Sequence, residues 1–252
     1  MEMRGVMGGF YKISEWIMRL SVTNVLWLIC SLPFVFFIFT TLFSENVDQL
    51  YSGLFISAVV APFTLFPATA AMFTVARKWV MGEVDVPLFR TFFRGYKENY
   101  VQSMVGGILY ALLFVILIID FRVYLNGMTS LQLISYVFLG LMFVLAVSLF
   151  NFFSMVVHYH MKTLQLIKNA ILITIGKPLR SLSTLIMAAV VVYISTKFTF
   201  LIPFFMGSVI AYLSFWNFYI IYQKIQEQAE KAAKAEEEAA LENGEDRTEE
   251  SK

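Results

Sequence analysis

The run Phe66-Pro67-Ala68-Thr69-Ala70-Ala71, followed shortly by Arg77-Lys78-Trp79, carries an apolar segment into a basic, aromatic-rich one. In a chain that is 59% hydrophobic and 15% charged, with a mean hydropathy of +0.71, this junction reads as the end of a membrane span. Soluble domains carry about 25% charged residues, and 252 residues of this composition leave too little polar surface to face water. The fold class that follows is all-α, a polytopic transmembrane helical bundle with lipid as the solvent for most of the chain.

A helix needs about 20 apolar residues to cross a hydrocarbon core of about 30 Å. On that measure the span that holds Pro67 runs near residues 53–75, with others expected near 23–43, 101–119, 133–157, 182–199 and 201–222, about six in all. The apolar stretch 182–222 is too long for one helix, and Pro203 divides it. Its first half lies between Arg180 and Lys197 and reaches full length if Lys197 snorkels to the interface. The first span follows Arg4, Lys12 and Arg19 as a signal peptide would. It is too long for one and lacks a small-residue cleavage site, so it reads as retained. The single cysteine, Cys30, lies inside that span and offers neither a disulfide nor a metal cluster.

With this topology the N-terminus, residues 77–100, residues 158–181 and the C-terminal tail share one side. Of 19 Lys and Arg residues only Arg122 and Lys197 fall on the other, the bias expected of cytoplasmic loops. The first loop of the opposite side carries Glu45 and Asp48 and no base.

Both inner loops are longer than a connection requires, and each shows helical periodicity. In the first, Asp85 is placed to cap a helix with Leu88, Phe89, Phe92, Phe93, Tyr96 and Tyr100 on one side and Arg90, Arg94, Lys97 and Glu98 on the other, an interfacial pattern. In the second, Leu164, Ile167, Ile171 and Ile175 recur at helical spacing opposite Lys162, Gln165, Lys168 and Asn169, until Gly176-Lys177-Pro178 ends the helix. Residues 223–252 form a charged tail. The pairs Glu227/Lys231 and Glu230/Lys234 favour helix at its start, and from Asn243 the composition reads as disordered.

Chemistry-bearing patterns are sparse. His158 and His160 flank Tyr159 two residues apart, a spacing that points them to different helix faces without a further ligand, so they read as interfacial rather than metal-binding. No nucleophile with a positioned base, no paired intramembrane carboxylates and no phosphate-binding glycine loop are evident. The expectation is a non-enzyme with no catalytic, metal or cofactor-binding residues. Asn24, Thr64, Thr69, Ser148, Asn151 and Asn217 should face other helices, because polar groups in lipid need partners. The second span is the place to look for a polar pathway. Pro62 and Pro67 remove backbone donors there and free carbonyls that Thr64 and Thr69 could supplement, as in discontinuous transporter helices; a plain packing kink is the alternative.

Pro67-Ala68-Thr69-Ala70-Ala71, then Arg77-Lys78-Trp79 and Gly82, then Phe89, Phe92, Tyr96 and Lys97 closely resemble the signature of the YesL-like bacterial membrane proteins, a family without an assigned biochemical activity. The similarity extends to Asn24, Trp27 and Pro33 and to Lys168-Asn169-Ala170. Members of this family tend to be encoded beside carbohydrate uptake and polysaccharide degradation systems. The resemblance therefore implies a noncatalytic protein of the bacterial inner membrane, multi-pass with both termini cytoplasmic, accessory to or regulating carbohydrate uptake. Its expected partners are the lipid bilayer and carbohydrate transporter subunits met through the basic inner loops, with no nucleic acid and no cofactor. Two other functions stay open. The chain could itself be a permease or transport subunit, with Thr163 to Ile175 as a cytoplasmic coupling helix, or it could be a membrane scaffold.

Overall fold

A computed structural model describes residues 6–127 and 132–249; Arg4 and the last residues of the tail lie outside this range. Every regular element within it is helical. Helices α1 (Val6–Cys30) and α2 (Leu32–Leu42) are followed by α3 (Val47–Val60), a 3-10 turn at Ala61–Phe63, and α4 (Leu65–Val80). Then come α5 (Leu88–Gly127), α6 (Gln132–Val156), α7 (Thr163–Gly176), α8 (Pro178–Lys197), a π-helical segment at Ile202–Met206, and α9 (Gly207–Glu249). Five helices are long and apolar enough to cross a membrane, or six if α3 and α4 form one span bent by 48°. That is the architecture of a polytopic helical membrane protein.

Helix α4 is the axis of the fold, packed against α1, α5, α6 and α9. Ala68, Ala70, Ala71 and Val75 are fully buried along it. Their small side chains let neighbouring backbones come close, which is how helices gain packing energy where lipid cancels the hydrophobic drive. The same closeness recurs on α5: a Cβ at Gly95 would fall 2.5 Å from Thr74 Oγ1 of α4, and one at Gly107 would fall 2.8 Å from the Phe66 ring. Aromatic side chains fill the remaining space, with Phe73, Phe152, Phe153, Phe215 and Phe218 all buried. Large apolar side chains on α2, α3, the second half of α5 and the first half of α6 are exposed, among them Phe36, Phe55, Ile116, Ile119 and Val137. A surface of this kind is stable against lipid and not against water.

Several elements differ from the sequence expectation. The apolar stretch at 23–43 is two helices: α1 begins far upstream at Val6, and a break at Ser31 precedes α2, where Pro33 supplies no backbone donor. The Ser31 hydroxyl donates to Trp27 O at 2.7 Å across that break. The expected interfacial helix of the first inner loop is not separate. It and the span at 101–119 form the single 40-residue helix α5, which extends for roughly 60 Å, about twice the hydrocarbon thickness. Asp85 does not cap it, because Pro87 intervenes and the Asp85 carboxylate pairs with Arg19 instead. In α7 the buried stripe is Leu166, Ile167, Ala170 and Thr174, with Leu164 and Ile175 exposed, so the helix seats one turn-fraction away from the face its periodicity suggests. Asn151 of α6 fixes that seating by donating to Thr174 Oγ1 at 2.9 Å. Beyond the apolar part of α9 the backbone stays helical through Asn243 to Glu249.

Candidate functional site

The junction singled out by the sequence, where α4 gives way to α5, holds a polar concavity. Helix α4 closes with a Schellman cap: Glu83 N–H donates to Lys78 O (2.9 Å) and Gly82 N–H to Trp79 O (3.2 Å), with Gly82 at φ +93°. That turn carries Glu83 back over Lys78, whose Nζ donates to the carboxylate at 2.6 Å. The hydrogen bond and charge of Lys78 hold the Glu83 carboxyl below its ordinary pKa. Helix α5 then starts at Leu88, and Thr91 N–H makes its first helical bond to Pro87 O.

Between the last turns of α4 and the first turns of α5 lies a cleft of ≈ 650 Å³. Its bases are Arg77, Lys78, Arg90 and Arg94, and its acids are Glu83, Asp85 and Glu98. Each acid is already engaged: Glu83 by Lys78, Glu98 by Arg94 Nε at 2.8 Å, and Asp85 by Arg19. Arg19 reaches in from α1, is buried, and also bonds Glu15 one turn earlier at 2.5 Å. It thereby ties the α4–α5 connection to the first helix. Beside it, Trp16 stands edge-on to Trp79 (5.5 Å between ring centres) and Tyr212 (5.7 Å). The indole N–H of Trp79 is buried there without a partner among the described residues.

In the same last turn of α4, Arg77 meets the α6–α7 connection, where its Nε donates to His158 Nδ1 at 3.3 Å. Acceptance at Nδ1 fixes a neutral ring with its proton on Nε2. Tyr222, Tyr159, Phe215 and Phe218 surround that ring, Tyr222 most closely at 4.5 Å between centres. Burial first, and the Arg77 charge second, push the His158 pKa below its ordinary value. His160, by contrast, is exposed and shares none of this.

The residues named from the sequence therefore divide by role. Arg77 and Lys78 line the cleft, and Gly82 shapes its rim. Pro67, Ala68, Ala70, Ala71, Trp79 and Phe92 are buried, Tyr96 is half-buried, and Phe89, Lys97 and Pro33 are exposed away from the cleft lining. Thr69 donates to Leu65 O (2.7 Å) and accepts from Trp27 Nε1 (3.0 Å), which locks α4 to α1. Asn24 spans the second irregularity of the fold. Its amide donates to Ile202 O (3.0 Å) and Pro203 O (2.7 Å), and its Oδ1 accepts from Ser208 N–H (3.0 Å). Three participants carried no local signal of their role. Arg19 counts in sequence only as flanking charge. Tyr100 donates its hydroxyl to Phe63 O (3.2 Å), the carbonyl four residues before Pro67 that the proline leaves without a helical donor. Arg180, in the first turn of α8, donates from Nη1 to Asn217 Oδ1 of α9 at 3.2 Å.

Among known proteins, the chain is similar to an uncharacterized protein YesL of Bacillus subtilis (strain 168), 30% identical over 236 residues that cover 90% of this chain and 97% of the relative. The chain belongs to the YesL-like family. Two further B. subtilis proteins share this YesL-like sequence. The uncharacterized protein YteU is 28% identical over 90% of this chain and 91% of its own length. The uncharacterized protein YesV is 32% identical over 55% and 67%. A family model described as "Protein of unknown function, DUF624" matches residues 20–121, the segment from mid-α1 through most of α5 that builds the cleft. No solved structure matches the chain.

Proposed function

We propose that this YesL-like protein is a noncatalytic bacterial inner-membrane protein, with both termini cytoplasmic, that assists or regulates a carbohydrate uptake system by contact with transporter subunits through its basic loops. One observation weighs most. The backbone groups released at the two helix breaks are taken up by the protein itself: Tyr100 on Phe63 O, and Asn24 on Ile202 O, Pro203 O and Ser208 N–H. In transporters built on discontinuous helices such groups are the ones that meet substrate or ion. Here the breaks are filled, and the polar groups left to act lie at the basic end of the bundle. Helix α7, the segment with the size of a coupling helix, spends its apolar stripe on α6 and is half-sequestered, which also favours an accessory role over that of a transport subunit. Genomic association with sugar uptake, implied by the family resemblance, supplies the substrate class.

Affinity purification in mild detergent from cells grown on the relevant glycan is expected to recover sugar transporter subunits. Recovery should weaken when Arg90 and Arg94 are replaced by glutamine. Recovery of the chain alone, together with uptake of labelled sugar by liposomes that contain only this protein, would replace this proposal with the permease.

A further inference from the structure

The carboxylates around the α4–α5 cleft are all paired, and two of its four cations, Arg77 and Arg90, are in no salt bridge among the described residues. Lys78 and Arg94 face Glu83 and Glu98, and Asp85 is held by Arg19 from outside the lining. Arg77 spends only its Nε, on a neutral histidine, and Arg90 has no acceptor among the described residues. Two guanidinium groups without a salt-bridge partner thus line one concavity, although the Arg77 charge is felt by the Glu83 carboxylate. Arg77 stands in the last turn of α4 and Arg90 in the first turn of α5, where the N–H groups of Leu88, Phe89 and Arg90 precede the first helical bond and the helix dipole is positive. Thr91 adds an independent mark: it lines the cleft, is only 7% exposed, and its hydroxyl makes no hydrogen bond among the described residues. A hydroxyl that lines a concavity without an internal partner is free to bond to what the concavity holds.

We propose that this cleft binds a phosphate group, held by Arg77 and Arg90, with Thr91 donating a hydrogen bond and the first turn of α5 supplying dipole and backbone donors. Guanidinium forks match phosphate oxygens two at a time, and helix N-termini are ready-made phosphate sites. Phe89 and Phe93 stand exposed on α5 next to Arg90 and Arg94, which sets the mouth of the cleft at the headgroup level of a bilayer. The phosphate can therefore come from an anionic lipid or from solution, and the recognising chemistry is the same. The inference does not depend on the transporter-contact proposal, since it concerns the purified chain alone.

The test uses full-length protein in neutral maltoside detergent, titrated with inorganic phosphate against chloride at equal ionic strength and read by thermal midpoint. A parallel arm measures retention of added phosphatidylglycerol by mass spectrometry of the intact complex. Wild-type protein is expected to respond saturably in at least one arm. Replacing Arg77 and Arg90 by glutamine should weaken that response at least about tenfold, and Thr91→Val about three- to tenfold. Lys97→Gln, which removes an exposed charge outside the cleft, should leave it unchanged. Arg90→Gln alone touches an exposed, unpaired side chain and keeps the test open if the double variant fails to fold. Response to phosphate that lipid does not displace identifies a soluble source, and retention of lipid that phosphate does not displace identifies a headgroup. No saturable response in either arm, or equal loss in the Lys97 and Arg90 variants, would overturn the site.

Discussion

Gly82 turns the chain through φ +93° with a side-chain-free Cα, and the Lys78–Glu83 pair and the rim of the cleft depend on that turn. An L-residue there meets its own carbonyl, a cost of about 1–2 kcal/mol. Gly82→Ala is accordingly expected to lower stability in detergent by about 1–2 kcal/mol, read from denaturant midpoints, and to blunt ligand response more than its stability loss explains. His158 makes a second prediction at this scale. Its folded pKa lies below the ordinary 6.5 because burial and Arg77 disfavour the cation. The unfolded chain thus binds the proton first as pH falls, so stability is full above about pH 6.5 and declines below it, toward and through the folded value. Thermal midpoints measured from pH 7.5 down to 5 should fall for the wild type, and should fall less steeply for His158→Gln. A parallel decline in both would remove His158 as the cause.

At the scale of elements, the bend between α3 and α4 is where sequence and structure can be compared most closely. Pro62 and Pro67 announced a break in the second span, and the break is there, but its satisfaction was not legible. Pro67 sits in the first turn of α4, where its missing N–H is not required, and the carbonyl it frees accepts from Tyr100, 37 residues away. No local pattern names that partner. Nor could any window have joined Asn24 to Ile202, 178 residues on. The merger of amphipathic helix and span into α5 was, by contrast, readable. Between Leu88 and Gly127 there is no proline, the helix runs through Gly106-Gly107, and the change from amphipathic to apolar composition marks a change of solvent, not of backbone. The face of α7 was ambiguous for the opposite reason, since lipid-facing and protein-facing sides are both apolar. The bend itself predicts a double-mutant cycle. Tyr100→Phe should cost about 1 kcal/mol by leaving Phe63 O without a donor. Pro67→Ala supplies a new N–H at the position that serves that carbonyl in a regular helix, so the double variant should lose less than the sum of the two, by thermal or chemical unfolding. Strict additivity would mean the bend keeps the two groups apart.

For the whole molecule, charge segregation makes a prediction about sidedness. With Cys30 replaced by alanine, a cysteine at Met81, which is exposed beside the cap and avoids the strained position at Gly82, should be inaccessible to an impermeant maleimide in intact cells. One at Asn46, exposed in the α2–α3 connection, should be labelled. The reverse pattern would invert the topology.

The length of α5 has a mechanical consequence as well. Its 40 residues run from the cleft to the opposite end of the bundle without a proline, and its glycine pair, Gly106-Gly107, is packed against Phe152 and Phe66, so the helix holds no free hinge. Gly95 and Gly107 bring it onto α4 so closely that sliding is blocked by Thr74 and Phe66. What is left to it is pivoting as a rod. A rotation of about 5° about the cleft carries a point about 45 Å along such a rod sideways by about 4 Å. The first turn, at Arg90, and the far end, where Arg122 lies over the ring of Tyr51 on α3, are therefore two ends of one lever.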